Sequence, residues 1–135
     1  MMSMFQNIDI MTKSLNASWK RNEVIANNIA NVNTPNYKKS HVVFEELLKD
    51  YLNGSSISGR KTHESHIDIG ITDMKNLRHK TITPGNYQTR RDGNNVDIDV
   101  EMAALAKNNI TFNTLSTQLN NDLRRLKLAI NEGRR

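Results

Sequence analysis

Four side chains in the chain have the types that metal and acid–base chemistry use: His63, Glu64, Ser65 and His66. A zincin needs His-Glu-x-x-His, which sets both imidazoles on one helix face. Here the spacing is one residue short and the alternation around it looks extended, so an exposed polar loop is expected rather than a metal centre. Glu45-Glu46 and the trio Asp97, Asp99 and Glu101 have no matching base or pocket signal and read as surface or helix-terminus charges. With no cysteine, there is no thiolate ligand, disulfide or thiol nucleophile. Gly-x-Ser-x-Gly, the P-loop and Gly-x-Gly-x-x-Gly are missing. The residues support no enzyme, no metal and no cofactor.

The stretch that carries information is Ala26-Asn27-Asn28-Ile29-Ala30-Asn31-Val32-Asn33-Thr34-Pro35-Asn36-Tyr37-Lys38. Asparagine is a poor helix residue because its side chain competes for the backbone. A run of asparagines at the end of a helix is either a frayed terminus or a set of amides that bond another main chain. An amide both donates and accepts, so it satisfies buried backbone groups without charge.

The elements that position this stretch follow from periodicity. Met4, Ile8, Met11, Leu15, Ser18, Asn22, Ile25, Ile29 and Val32 are spaced alternately by three and four, a heptad seam in which all but two residues are apolar. Ser3 and Gln6 have capping-box spacing, and Thr34-Pro35 is the expected stop. The other end repeats the design with Ile98, Met102, Leu105, Asn109, Phe112, Ser116, Leu119, Leu123, Leu126 and Ile130, closed by Gly133. Phe44, Leu47, Leu48, Tyr51 and Leu52 suggest a short helix over 43–52. Residues 55–61 read as loop, 66–71 as a strand, and 81–83 with 87–90 as a hairpin about Pro84-Gly85-Asn86.

The expected fold is therefore mainly α. Long N- and C-terminal helices pair as an antiparallel coiled-coil-like hairpin around a polar middle of short helix, loops and a small β-hairpin. Its segments are 1–35, 36–95 and 96–135. At 135 residues the chain is one domain's worth, and its 36% apolar and 5% aromatic content is low for a compact enzyme. That points to an elongated shape or a chain that orders with partners.

Net charge is +5, with a pI of about 9.6. Residues 1–52 carry six basic and five acidic groups, 53–95 seven and four, and 96–135 six and five. Phosphate binding needs a concentrated stripe. This spread favours solvated surface over the alternative of a small basic helical nucleic-acid-binding protein. No run approaches the roughly 18 apolar residues of a membrane span. The start, Met1 to Asn7, has no basic n-region or cleavage site, so no cleaved secretory signal is expected.

The asparagine stretch resembles the N-terminal signature of the bacterial flagellar rod, hook and hook-filament-junction family, close to Ala-x-Asn-Ile-Ala-Asn-x-x-Thr-x-Gly-Tyr. Asn28, Ile29, Ala30, Asn31, Thr34, Pro35 and Tyr37 stand in matching order. Asn36 occupies the usual glycine position. Asparagine is the next-best residue for a left-handed turn, so the turn should survive. Asp92 to Met102, Leu105 to Asn109 and Arg125 to Arg134 are similar to the proximal rod branch of that family.

The resemblance implies a structural axial subunit of the basal body, resident in the periplasmic rod. Its partners would be further copies of itself, neighbouring rod proteins and a basal-body adaptor at the cell-proximal end. It implies passage through the flagellar type III export gate without cleavage, no nucleic acid and no direct membrane insertion. It further implies terminal helices that are disordered in the monomer and pair on assembly. The implied assembly motif is Asn28, Ile29, Ala30, Asn31, Thr34, Pro35 and Tyr37. The helix-pairing seam expected to act with it is Ile8, Met11, Leu15, Ile25, Ile29, Leu105, Phe112, Leu119, Leu123 and Leu126. The family's export patch, Phe-x-x-x-apolar, is met by Met4 and Ile8 with methionine replacing phenylalanine, whereas Phe5 is followed at that spacing by Asp9.

Overall fold

A computed structural model describes residues 4–53, 74–85 and 90–133. Helix α1 spans Met4–Ala30 and helix α3 spans Ile98–Glu132. Between them lie strand β1 (His41–Val43), helix α2 (Glu45–Leu52), a 3₁₀ turn (Met74–Asn76) and strand β2 (Lys80–Ile82). The chain is mainly helical, as the periodicity implies, and α1 packs antiparallel against α3. Asn22 bonds Asn109 and Asn28 bonds Glu101, so α3 descends in step as α1 ascends.

Each helix boundary has a physical cause. Asp97 caps α3, its carboxylate accepting from the backbone N–H groups of Asp99 (3.0 Å) and Val100 (3.3 Å). Val96 thus lies ahead of the helix, buried, rather than at its start. Helix α1 stops at Ala30, before the Thr34-Pro35 break, because the following carbonyls turn toward partners outside the helix. Helix α2 begins at Glu45 rather than 43, since Val43 is committed to β1 and Phe44 turns inward at φ −143°.

A small antiparallel β-ribbon is present. Strand β2 pairs with β1, His41 opposite Ile82, Val42 opposite Thr81 and Val43 opposite Lys80. Residues 80–82, expected as a strand at 81–83, thus have an upstream partner that the sequence did not indicate. The expected strand at 66–71, the partner strand residues 87–89, the capping residue Ser3 and the His63–His66 cluster lie outside the described residues.

The core sits where the middle segment meets α1. Ala17, Phe44 and Leu77 are buried together, with Leu47 and Leu48 packed against them. Lys13 Nζ donates to the Leu77 carbonyl at 3.0 Å, tying the 3₁₀ turn to α1. Val24, Ile25 and Val42 add a second apolar patch nearer the head of the molecule.

Candidate functional site

The head is built from polar side chains. Asn28 is 1% exposed and uses its whole amide. Its Nδ2 donates to the Ser40 carbonyl (2.8 Å) and to Glu101 Oε2 (3.0 Å). Its Oδ1 accepts from the Ser40 N–H (3.0 Å) and the Tyr37 hydroxyl (3.3 Å). One side chain thus joins α1, the 37–40 loop and α3. This is the sharper reading of the asparagine run: an amide serving another main chain. Asn31 acts locally instead. Its Nδ2 donates to the Asn27 carbonyl and its Oδ1 accepts from the Thr34 hydroxyl, which shapes the turn after the helix.

Asn94 is fully buried and closes the end of α1. Its Nδ2 faces three carbonyls, those of Asn31 (3.0 Å), Val32 (3.1 Å) and Thr34 (2.9 Å). These carbonyls belong to the turn that follows α1, so the amide ties that turn to the segment ahead of α3. Its Oδ1 accepts from the Val96 N–H at 2.7 Å. Asn95 Oδ1 takes the Lys39 N–H at 2.7 Å.

The turn expected at Asn36 is present. Asn36 has φ +61°, the only positive φ outside glycine among the described residues. Its N–H donates to the Asp92 carbonyl at 2.9 Å. Gly93, at φ +77°, lies directly against it, and a Cβ there would collide with Asn36 Oδ1. Two left-handed residues from opposite ends of the chain therefore interlock.

The motif residues gather in this head with unequal roles. Asn28 is buried, Ile29, Asn31 and Tyr37 are half-buried, and Ala30, Thr34 and Pro35 are exposed. Of the α1 residues expected on the seam, Ile25 is buried, and Ile8, Met11, Leu15 and Ile29 are half-buried. On α3, Leu105, Phe112, Leu119 and Leu126 are half-buried. Leu123 is not on that stripe and is 44% exposed, and Ile98, Met102 and Ile130 also face outward. The observed stripe runs through Glu101, Ala104, Asn108, Leu115 and Asp122 as well.

Two of the polar residues on that stripe are fully covered. Glu101 lies in the first turn of α3, as expected of a helix-terminus charge, but it is buried and not at the surface, with Asn28 donating to it and Lys39 Nζ 3.9 Å away. Asn108 Nδ2 donates to the Ser18 carbonyl and to Asn22 Oδ1, both at 2.7 Å. A seam counted from apolar residues alone misses both. Asn94 and Asn95 were legible only as turn formers, and the available signal was the asparagine doublet just ahead of a helix cap.

Several basic groups are spent inside the fold. Arg21 Nη2 donates to both carboxylate oxygens of Glu45 (2.8 and 2.6 Å). Lys38 donates to the Gly93 carbonyl at 2.6 Å, and Arg90 to that of Val32 at 3.1 Å. These contacts brace the head rather than form a phosphate-binding stripe.

Residues 9–38, which supply the motif, match the family model described as flagella basal body rod protein. The chain is 34% identical over 134 residues to the flagellar basal body rod protein FlgB of Bacillus subtilis (strain 168), covering 98% of this chain and 100% of that protein. It is 37% identical over 117 residues to FlgB of Borrelia hermsii, covering 82% and 86%. It is 28% identical over 113 residues to FlgB of Aquifex aeolicus (strain VF5), covering 84% and 83%. Such similarity along nearly the whole length, together with the motif that builds the head, places the chain in the FlgB family of flagellar basal-body rod proteins.

Proposed function

We propose that the protein is a structural, non-catalytic subunit of the flagellar rod, set in its cell-proximal part. The observation that carries this reading is the full-length match to the Bacillus subtilis rod protein. The helix pair supports it. Phe5, Trp19, Val100, Met102, Ile110, Leu128 and Ile130 all stand more than half exposed on its outer faces, apolar surface that neighbouring subunits would cover. Packing of this kind is heterologous, each subunit meeting a different face of the next, and it extends as a helical tube rather than closing.

In this reading the partners are other copies, adjoining rod proteins and a basal-body adaptor at the inner end. The chain reaches the periplasm through the flagellar type III export gate, uncleaved. No disulfide has to form after export, since the chain has no cysteine.

Deletion of the gene and complementation tests the proposal. Loss of swimming and of complete basal bodies, restored by the wild-type chain, is the expected result. Normal basal bodies and swimming in the deletion strain would overturn it.

A further inference from the structure

A group of polar bonds crosses directly from α1 to α3 in the head half of the pair: Asn28 to Glu101, and Ser18, Arg21 and Asn22 to Asn108 and Asn109. Below them the half-buried residues include Ile8, Met11 and Leu15 on α1 and Phe112, Leu115, Leu119 and Leu126 on α3, with Ser116 and Asp122 beside them. An apolar seam with heptad spacing has little to say about register, because a slip of seven residues brings like against like. Asn108 is different. It is 3% exposed, and its amide is met by the Ser18 carbonyl and Asn22 Oδ1, with Arg21 Nη1 donating to its Oδ1 at 3.4 Å. A seven-residue slip from Asn22 would set Asn108 level with Leu15 or Ile29, which offer no such partners.

We propose that Asn108, with Ser18 and Asn22, is the positioning contact that selects the register of the helix pair, and that it makes α1 choose the α3 of its own chain over the apolar helices of other copies. The contact acts by penalising wrong pairings rather than by strengthening the right one. A buried asparagine in an otherwise apolar seam is the best-attested device of this kind. The inference rests on the helix pair alone and stands whether or not the chain is a rod subunit.

The absence of cysteine allows a clean test on the full chain. Asn7 and Asp122 line one cleft between the helices. Asn7→Cys with Asp122→Cys reports the observed register. Asn7→Cys with Leu115→Cys, or with Ala129→Cys, reports slips of seven residues either way. Each pair is oxidised in the wild-type, Asn108→Leu and Asn22→Leu/Asn108→Leu backgrounds, and the products are read as intrachain or interchain by mass. With Asn108 present, only the first pair closes within the chain. In the leucine backgrounds helical circular dichroism is kept, the slipped pairs close at several times the wild-type yield, and cross-linked dimers appear.

Exclusive closure of the first pair in both leucine backgrounds would overturn the proposal. So would failure of that pair to close in the wild-type background. Loss of helical signal in both leucine variants would also overturn it, since the asparagine would then supply stability and not register.

Discussion

The side-chain amide of Asn94 donates to the Asn31 carbonyl at 3.0 Å, so a residue just ahead of the last helix closes the end of the first. Two stretches that are 63 positions apart in sequence thus complete one another. The turn after the first helix is thus held by the segment that leads into the last one.

Asn94→Asp keeps the shape and removes the donor. A carboxylate would then face three carbonyl oxygens. The expected loss is about 2–4 kcal/mol, as for a buried charge set against acceptors with no donor of its own. Urea unfolding of the full chain, followed by circular dichroism, measures it. An unchanged midpoint would contradict the closing role of Asn94.

Asn28→Asp would place a second carboxylate beside the buried Glu101. Like charges sharing a site raise one of the two pKa values above its unfolded value. The penalty is therefore full when both groups are ionised and is relieved as pH falls and one of them takes a proton. The gap in unfolding midpoint between wild type and variant should narrow on going from pH 8 toward pH 5. A gap that stays constant would mean that the two groups do not interact.

Asn36 and Gly93 predict a coupled pair. Asn36→Gly should be neutral within about 1 kcal/mol, because glycine accepts positive φ freely. Gly93→Ala should cost about 1–3 kcal/mol, the usual range for a strained non-glycine backbone, with the collision against Asn36 adding to it. In the double variant the collision is gone, so the cost should fall below that of Gly93→Ala alone. Thermal unfolding of the four chains closes the cycle, and strict additivity would exclude the contact.

Leu119 and Leu123 lie four residues apart on α3 with different surroundings, the first half-buried on the stripe facing α1 and the second 44% exposed. Leu119→Asp should destabilise the helix pair by about 2–4 kcal/mol, as burying an unpaired charge among apolar side chains does. It should therefore block assembly while expression persists. Leu123→Asp should leave chain stability within about 0.5 kcal/mol, the usual span for surface changes. Any assembly defect it causes would mark the outer face as a subunit contact. Equal stability loss in both would place Leu123 inside the pair after all.

The sequence made the two long helices legible because three-four spacing of apolar residues has one good structural solution. It also showed the left-handed turn at Asn36, through the residue that replaces glycine. Of the ribbon, strand β2 was legible at 81–83, but its partner β1 was not. Strand β1 is three residues long, too short for alternation to register, and its pairing links positions nearly 40 residues apart. The site was legible on one side only. Asn28 and Asn31 stood out as poor helix residues, whereas Asn94 reads as an ordinary turn former until the carbonyls it meets are known. Glu101 and Asn108 were hidden because a seam is recognised by its apolar members, and these two hold their places through partners on α1.

Membership of the rod itself is tested by quantitative mass spectrometry of purified basal bodies from the source organism. The chain should be found among the rod proteins in stoichiometric amount, with its N-terminal peptide intact. A preparation of complete basal bodies that lacks the chain, with the protein recovered from the cytosol instead, would contradict it.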